Sequence, residues 1–74
     1  MKLCEFEKVN ACCYTDYSIK KGDDIVDYFS VDYMDDDQTR LDESILKRKT
    51  YDQATVVAVS ALYPKHGLSI LVRI

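Results

Sequence analysis

Four aspartates, Asp32, Asp35, Asp36 and Asp37, fall within six positions, and carboxylates so closely spaced raise the question of a calcium site. Calcium loops set oxygen ligands at alternating positions around a glycine that bends the chain. Here three of the acids are consecutive, so they point in different directions, and no glycine lies among them. Cys4, Cys12, Cys13 and His66 would supply enough soft ligands for zinc, but no CxxC or HxxxH spacing joins them. The same thiols and imidazole show no spacing that suggests a nucleophile and its base, and a thiol needs an electropositive setting to react. Phosphate-loop, GxSxG and HExxH patterns are absent, and two glycines are too few to build a phosphate cradle. The expectation is a protein that is not an enzyme, with no catalytic residue, no metal and no cofactor.

Charge offers more. Residues 23–43 hold nine acids (Asp23, Asp24, Asp27, Asp32, Asp35, Asp36, Asp37, Asp42, Glu43) against one base, Arg40, a local charge of −8. The whole chain carries only −3, so the remainder is +5 and the molecule is electrically lopsided. An acidic surface repels nucleic acid and speeds association with basic surfaces. Tyrosine is favoured in binding patches because it brings contact area at low entropic cost, and Tyr28 and Tyr33 adjoin the acids. The candidate partner-binding residues are therefore Asp27, Tyr28, Asp32, Tyr33, Asp35, Asp36, Asp37, Asp42 and Glu43. The expected partner is a larger protein with a basic surface, one that itself binds nucleic acid being a natural target. Compact inhibitors encoded by bacteriophages fit this size and charge, by analogy alone. The alternative is a single-stranded nucleic-acid module that stacks bases on tyrosines and neutralises phosphate with Lys47, Arg48 and Lys49; the acids argue against direct nucleic-acid binding.

These residues must be positioned by one small domain. At 74 residues the chain has no Gly/Pro/Ser-rich linker and no internal repeat, so residues 1–74 are expected to fold as a unit. A domain this size buries only about 60% of its unfolded surface, and its stability is thin, about 5 kcal/mol. The first residues lack a basic stretch followed by an apolar run, and no apolar stretch approaches bilayer length. A cytoplasmic protein without membrane contact is expected, its cysteines reduced and packed as small apolar side chains.

The clearest structural signal is the pair of β-branched runs 54–63 and 68–74 around Pro64-Lys65-His66-Gly67, a hairpin in which Pro64 sets φ and Gly67 takes the left-handed position. Leu68, Ile70, Val72 and Ile74 share the core face of its second strand. The first strand is apolar on both faces, which suggests a central place in the sheet. A helix over residues 50–63 is the rival, disfavoured by Thr55, Val56, Val57 and Val59. Residues 24–34 read as a strand near an edge and residues 2–9 as another, while residues 10–19 are ambiguous. Between them one of Asp35, Asp36 or Asp37 caps a helix with Leu41, Ile45 and Leu46 as its apolar stripe, and Lys47, Arg48 and Lys49 complement the dipole at its end. The expected architecture is α+β: a small antiparallel sheet of four to five strands, with a C-terminal hairpin and one helix. An OB-like barrel is the alternative, and a homodimer paired through an exposed strand stays open.

Overall fold

A computed structural model describes residues 1–62 and 66–74. The elements are α1 (Leu3–Glu7), β1 (Tyr14–Lys21), β2 (Asp24–Asp32), α2 (Gln38–Lys49), β3 (Thr55–Leu62) and β4 (Gly67–Arg73). The strands form one sheet in the order β2-β1-β4-β3. The class is α+β, as expected, with one four-stranded sheet and two short helices. The sheet is mixed, however, because β1 and β4 run parallel between two antiparallel pairs. Among the described residues β2 and β3 stand at its two ends and do not pair with each other, which removes the barrel alternative.

The core lies on one face of the sheet. Tyr17 and Ile19 of β1, Phe29 and Val31 of β2, and Ile70 and Val72 of β4 meet Leu3 of α1 and Leu41 of α2 there. The Tyr17 and Phe29 rings stack with centroids 5.0 Å apart, and Phe29 stacks on Tyr51 at 6.1 Å.

Asp37 is the residue that caps α2, its carboxylate accepting the Arg40 N–H at 3.1 Å. Leu41 is buried and Ile45 half-buried, but Leu46 is exposed. At about 100° per residue, position 46 is turned about 140° from position 41. The third inward position, seven residues after Leu41, is Arg48, whose side chain is only 14% exposed.

Four further expectations need correction. Residues 2–9 are not a strand: Leu3 and Phe6, three residues apart, put one side of a short helix on the core, and Glu5 accepts the Lys2 N–H at 3.0 Å. A single turn and a half cannot persist alone; the Leu3 and Cys4 amides hold it in place by donating to the Ala54 and Asp52 carbonyls. The cysteines are not core residues. Cys4 and Cys12 are half-buried and Cys13 is exposed, the latter two on the connection between α1 and β1.

The third correction concerns β3, which is a strand but an edge strand rather than a central one. Most of it is exposed on both faces. The fourth concerns Gly67. It pairs in register with Leu62 as the first residue of β4, and Gly22, at φ 62°, is the positive-φ residue among those described. Gly67 is instead required by a close approach: a Cβ there would lie 2.6 Å from the Tyr14 carbonyl oxygen. Of the predicted Pro64–Gly67 turn, Pro64 and Lys65 lie outside the described residues.

Candidate functional site

Strand alternation separates the candidate binding residues before any side chain is considered. Asp27 is opposite Ile19 in the β1–β2 register and lies on the helix-covered face. Tyr28, opposite Ser18, and Asp32, opposite Tyr14, lie on the other. Among the described residues the helices pack their apolar side chains on the first face, not on this one.

On the covered face the acids are neutralised from within. Asp27 takes the Lys47 ammonium at 2.9 Å and the Tyr51 hydroxyl at 2.7 Å, and Lys47, then Tyr51, hold its carboxyl below the ordinary range. Lys47 also lies 5.3 Å from the Phe29 ring centroid. Deeper in, Glu7 of α1 accepts the Tyr17 hydroxyl and pairs with Arg48 at 3.4 Å. Arg48 in turn donates to the Tyr33 hydroxyl at 2.9 Å. Burial, then the hydrogen bond to Glu7, pushes the Tyr17 phenol well above its ordinary pKa.

Beyond the end of β2 the loop organises its own charges. Asp32 accepts the Met34 N–H at 2.9 Å, and Asp35 accepts the Asp37 N–H at 2.9 Å. Arg40 reaches back to grip Asp35 with two bonds of 2.6 and 2.8 Å. That guanidinium, with the Asp37 amide second, brings the Asp35 carboxyl down to about 2. Asp42 on α2 accepts from the Gln38 amide at 2.8 Å. Asp23, Asp24, Asp36 and Glu43 are exposed, and among the described residues none of them forms an ion pair.

Three of the four cations of α2, Arg40, Lys47 and Arg48, are thus held by the protein's own acids, while among the described residues Lys49 forms no such pair. On the β1–β2 turn, the β2–α2 loop and the α2 surface, the exposed acids Asp23, Asp24, Asp36, Asp42 and Glu43 outnumber Lys21 and Lys49, the exposed cations there that form no ion pair among the described residues. The candidate set therefore does not form one face. Asp27 and Asp35 are compensated, Asp37 is spent on a helix cap, Tyr33 is engaged by Arg48, and Tyr28 stands on the second face at 60% exposure.

That face holds a group the sequence did not point to. Tyr14 donates to Ser30 Oγ at 3.2 Å, and Ser30 donates to Asp16 Oδ1 at 2.5 Å. Asp16 is 9% exposed although no helix covers it. Burial, then Asp16, raises the Tyr28 phenol; for Tyr14 the Ser30 hydrogen bond works downward, but Asp16 and burial together prevail and raise it. Hydroxyl to hydroxyl to carboxylate is a relay that orients donors. Among the described residues no imidazole or amine hydrogen-bonds Ser30 to make it a nucleophile. Asp16 and Ser30 are Cα partners across β1 and β2, so this signal existed only in the register, with the position of β1 itself ambiguous from sequence.

Among the described residues no three His, Cys, Asp or Glu side chains gather as metal ligands, and no helix is long and apolar enough to cross a membrane. A shallow cavity of about 390 Å³ lies between Thr50, Tyr51 and Ala54 on one side and Arg73 and Ile74 on the other, without a cluster of titratable groups. Comparison with family models, curated proteins and solved structures finds no match.

Proposed function

We propose that this chain is a small non-enzymatic interaction protein that uses its acidic flank to dock on the basic surface of a larger protein, in the manner of a compact inhibitor. The flank comprises the β1–β2 turn, the β2–α2 loop and the outer surface of α2. The reading is supported chiefly by how α2 spends its cations. Because Arg40, Lys47 and Arg48 are turned onto Asp35, Asp27 and Glu7, the exposed Asp23, Asp24, Asp36, Asp42 and Glu43 outnumber the exposed Lys21 and Lys49 and make the outward potential negative. Charges so exposed contribute mainly to encounter rate and specificity, and their effect is screened by salt.

The test compares the wild type with Asp36→Asn/Asp42→Asn/Glu43→Gln as bait for basic proteins. Capture by the wild type should weaken as salt is raised, and the triple variant should lose it. Capture that ignores both changes refutes the acidic flank. Single-stranded DNA is the companion probe: no affinity is expected at low salt, and binding that falls steeply with added salt would favour the nucleic-acid reading instead.

A further inference from the structure

Beyond its first residues β3 carries an edge that no other described segment covers. Its sequence, TVVAVSAL, contains no charge and no proline, and Val57 and Val59 are 47% and 46% exposed. Natural edge strands are normally blunted by charge, proline, a bulge or a covering segment. Here only the beginning is protected: Val56 donates to the Met1 carbonyl, Leu3 donates to the Ala54 carbonyl, Lys2 bridges Thr55, and the β3–β4 register shifts at a bulge between Val56 and Ala58. Among the described residues no backbone hydrogen bond reaches the outer edge after Val56.

We propose that residues 58–62 pair antiparallel with the same segment of a second copy of this chain, about a two-fold axis at Ser60. Self-pairing opposes each residue to a counterpart of the same segment, which an uncharged segment tolerates and a segment of like charges does not. The opposite sheet edge fails it, since β2 carries Asp24, Asp27 and Asp32. With the axis at Ser60, Val59 of one copy lies against Ala61 of the other, and Ala58 against Leu62. The two four-stranded sheets become one of eight, and the exposed Val59 and Ala61 side chains of both copies gather on the helix side. The acidic flanks end up at the far ends, each three strands, roughly 14 Å, from the seam, so net charge opposes the pairing only weakly. The contact is closed by symmetry, which limits it to two copies. Five paired residues bury less than a standard interface, so the dimer is weak.

Sedimentation equilibrium from about 10 µM to about 1 mM reads this directly. The wild type should pass from monomer to dimer and stop there. Ser60 is exposed and makes no side-chain hydrogen bond among the described residues, so Ser60→Asp and Ser60→Lys should fold. Each should weaken self-association about tenfold or more by opposing like charges at the axis, and an equimolar mixture of the two should recover it. Hydrogen exchange on the unsubstituted protein is the second readout: amides within residues 58–62 should gain protection as concentration rises. A chain that stays monomeric to about 1 mM, a mass that grows past the dimer, or association that Ser60→Asp leaves intact overturns the proposal. The triple variant of the acidic flank should dimerise like the wild type, so failure of that flank and failure of this seam are separable.

Discussion

Replacing Gly67 by alanine places a methyl group 2.6 Å from the Tyr14 carbonyl oxygen, 3.1 Å from Tyr14 Cδ1 and 3.3 Å from its carbonyl carbon. Ordinary contact begins near 3.4 Å, so the nearest pair must separate by about 0.8 Å. The obstacle is backbone, which cannot rotate aside as a flexible side chain can. It belongs to the first residue of β1, adjoining the β1–β4 register that starts at Thr15 and Leu68. Overpacking of this kind costs about 1–3 kcal/mol, a large part of a total near 5 kcal/mol. With a melting shift of about 4–8 °C per kcal/mol for a domain this size, a cost of about 2 kcal/mol lowers Tm by roughly 8–16 °C. Gly22→Ala is the control. It meets nothing within 4 Å but must adopt φ 62°, at about 1–2 kcal/mol. Urea unfolding followed by circular dichroism should show a lower midpoint with unchanged slope for Gly67→Ala. A loss below about 0.5 kcal/mol, the range of an ordinary surface change, would refute the close-approach argument.

The Tyr17 phenol gives a pH signature. Its pKa is raised in the folded state, so its contribution is complete below the unfolded value near 10 and is lost as pH climbs above that, at up to about 1.4 kcal/mol per pH unit. Tyr17→Phe should flatten alkaline unfolding and cost about 1 kcal/mol at neutral pH through the lost hydrogen bond to Glu7; an unchanged alkaline slope contradicts the assignment. Arg48→Met keeps bulk but strands Glu7, so chemical denaturation should show a loss of about 1–3 kcal/mol. Lys47→Gln, at a more exposed pair, should lose about 0–1 kcal/mol, and equal losses would mean that burial does not set the difference. By NMR the Asp35 carboxyl should titrate at about 2, and Arg40→Gln should return it toward the ordinary aspartate value; titration unmoved by that substitution would discount the Arg40 grip.

Local pattern carried much of the fold. The aspartate cap and basic end of α2 needed only chain order and a dipole, the run 54–63 only its β-branched residues, and the run 68–74 only period two, although Ile74, expected on the core face, is 53% exposed. The same pattern failed for residues 2–9, where Cys4 and Phe6 suggest alternation, because the helix there depends on Ala54 and Asp52 carbonyls supplied from far along the chain. It failed for Leu46 because Leu46 and Arg48 exchange the roles expected from hydropathy. An arginine enters the inward position when Glu7 and Tyr33 wait to receive it, and neither neighbour is visible in a helical wheel.

Type and order of residues by themselves determined that this chain is a small α+β domain, and that its acids concentrate in residues 23–43. Tertiary structure decided where that charge goes. Asp27 and Tyr28, adjacent in sequence, emerge on opposite faces of β2, and Asp35 and Asp27 are answered by cations from α2. It also decided that β3, apolar on both faces, stands at the rim of the sheet, because β4 passed inside it to pair with β1. The physical reason is the same in each case. Composition specifies how much charge and apolar surface exist, whereas pairing between distant segments specifies which of them are cancelled, covered or left to meet another molecule.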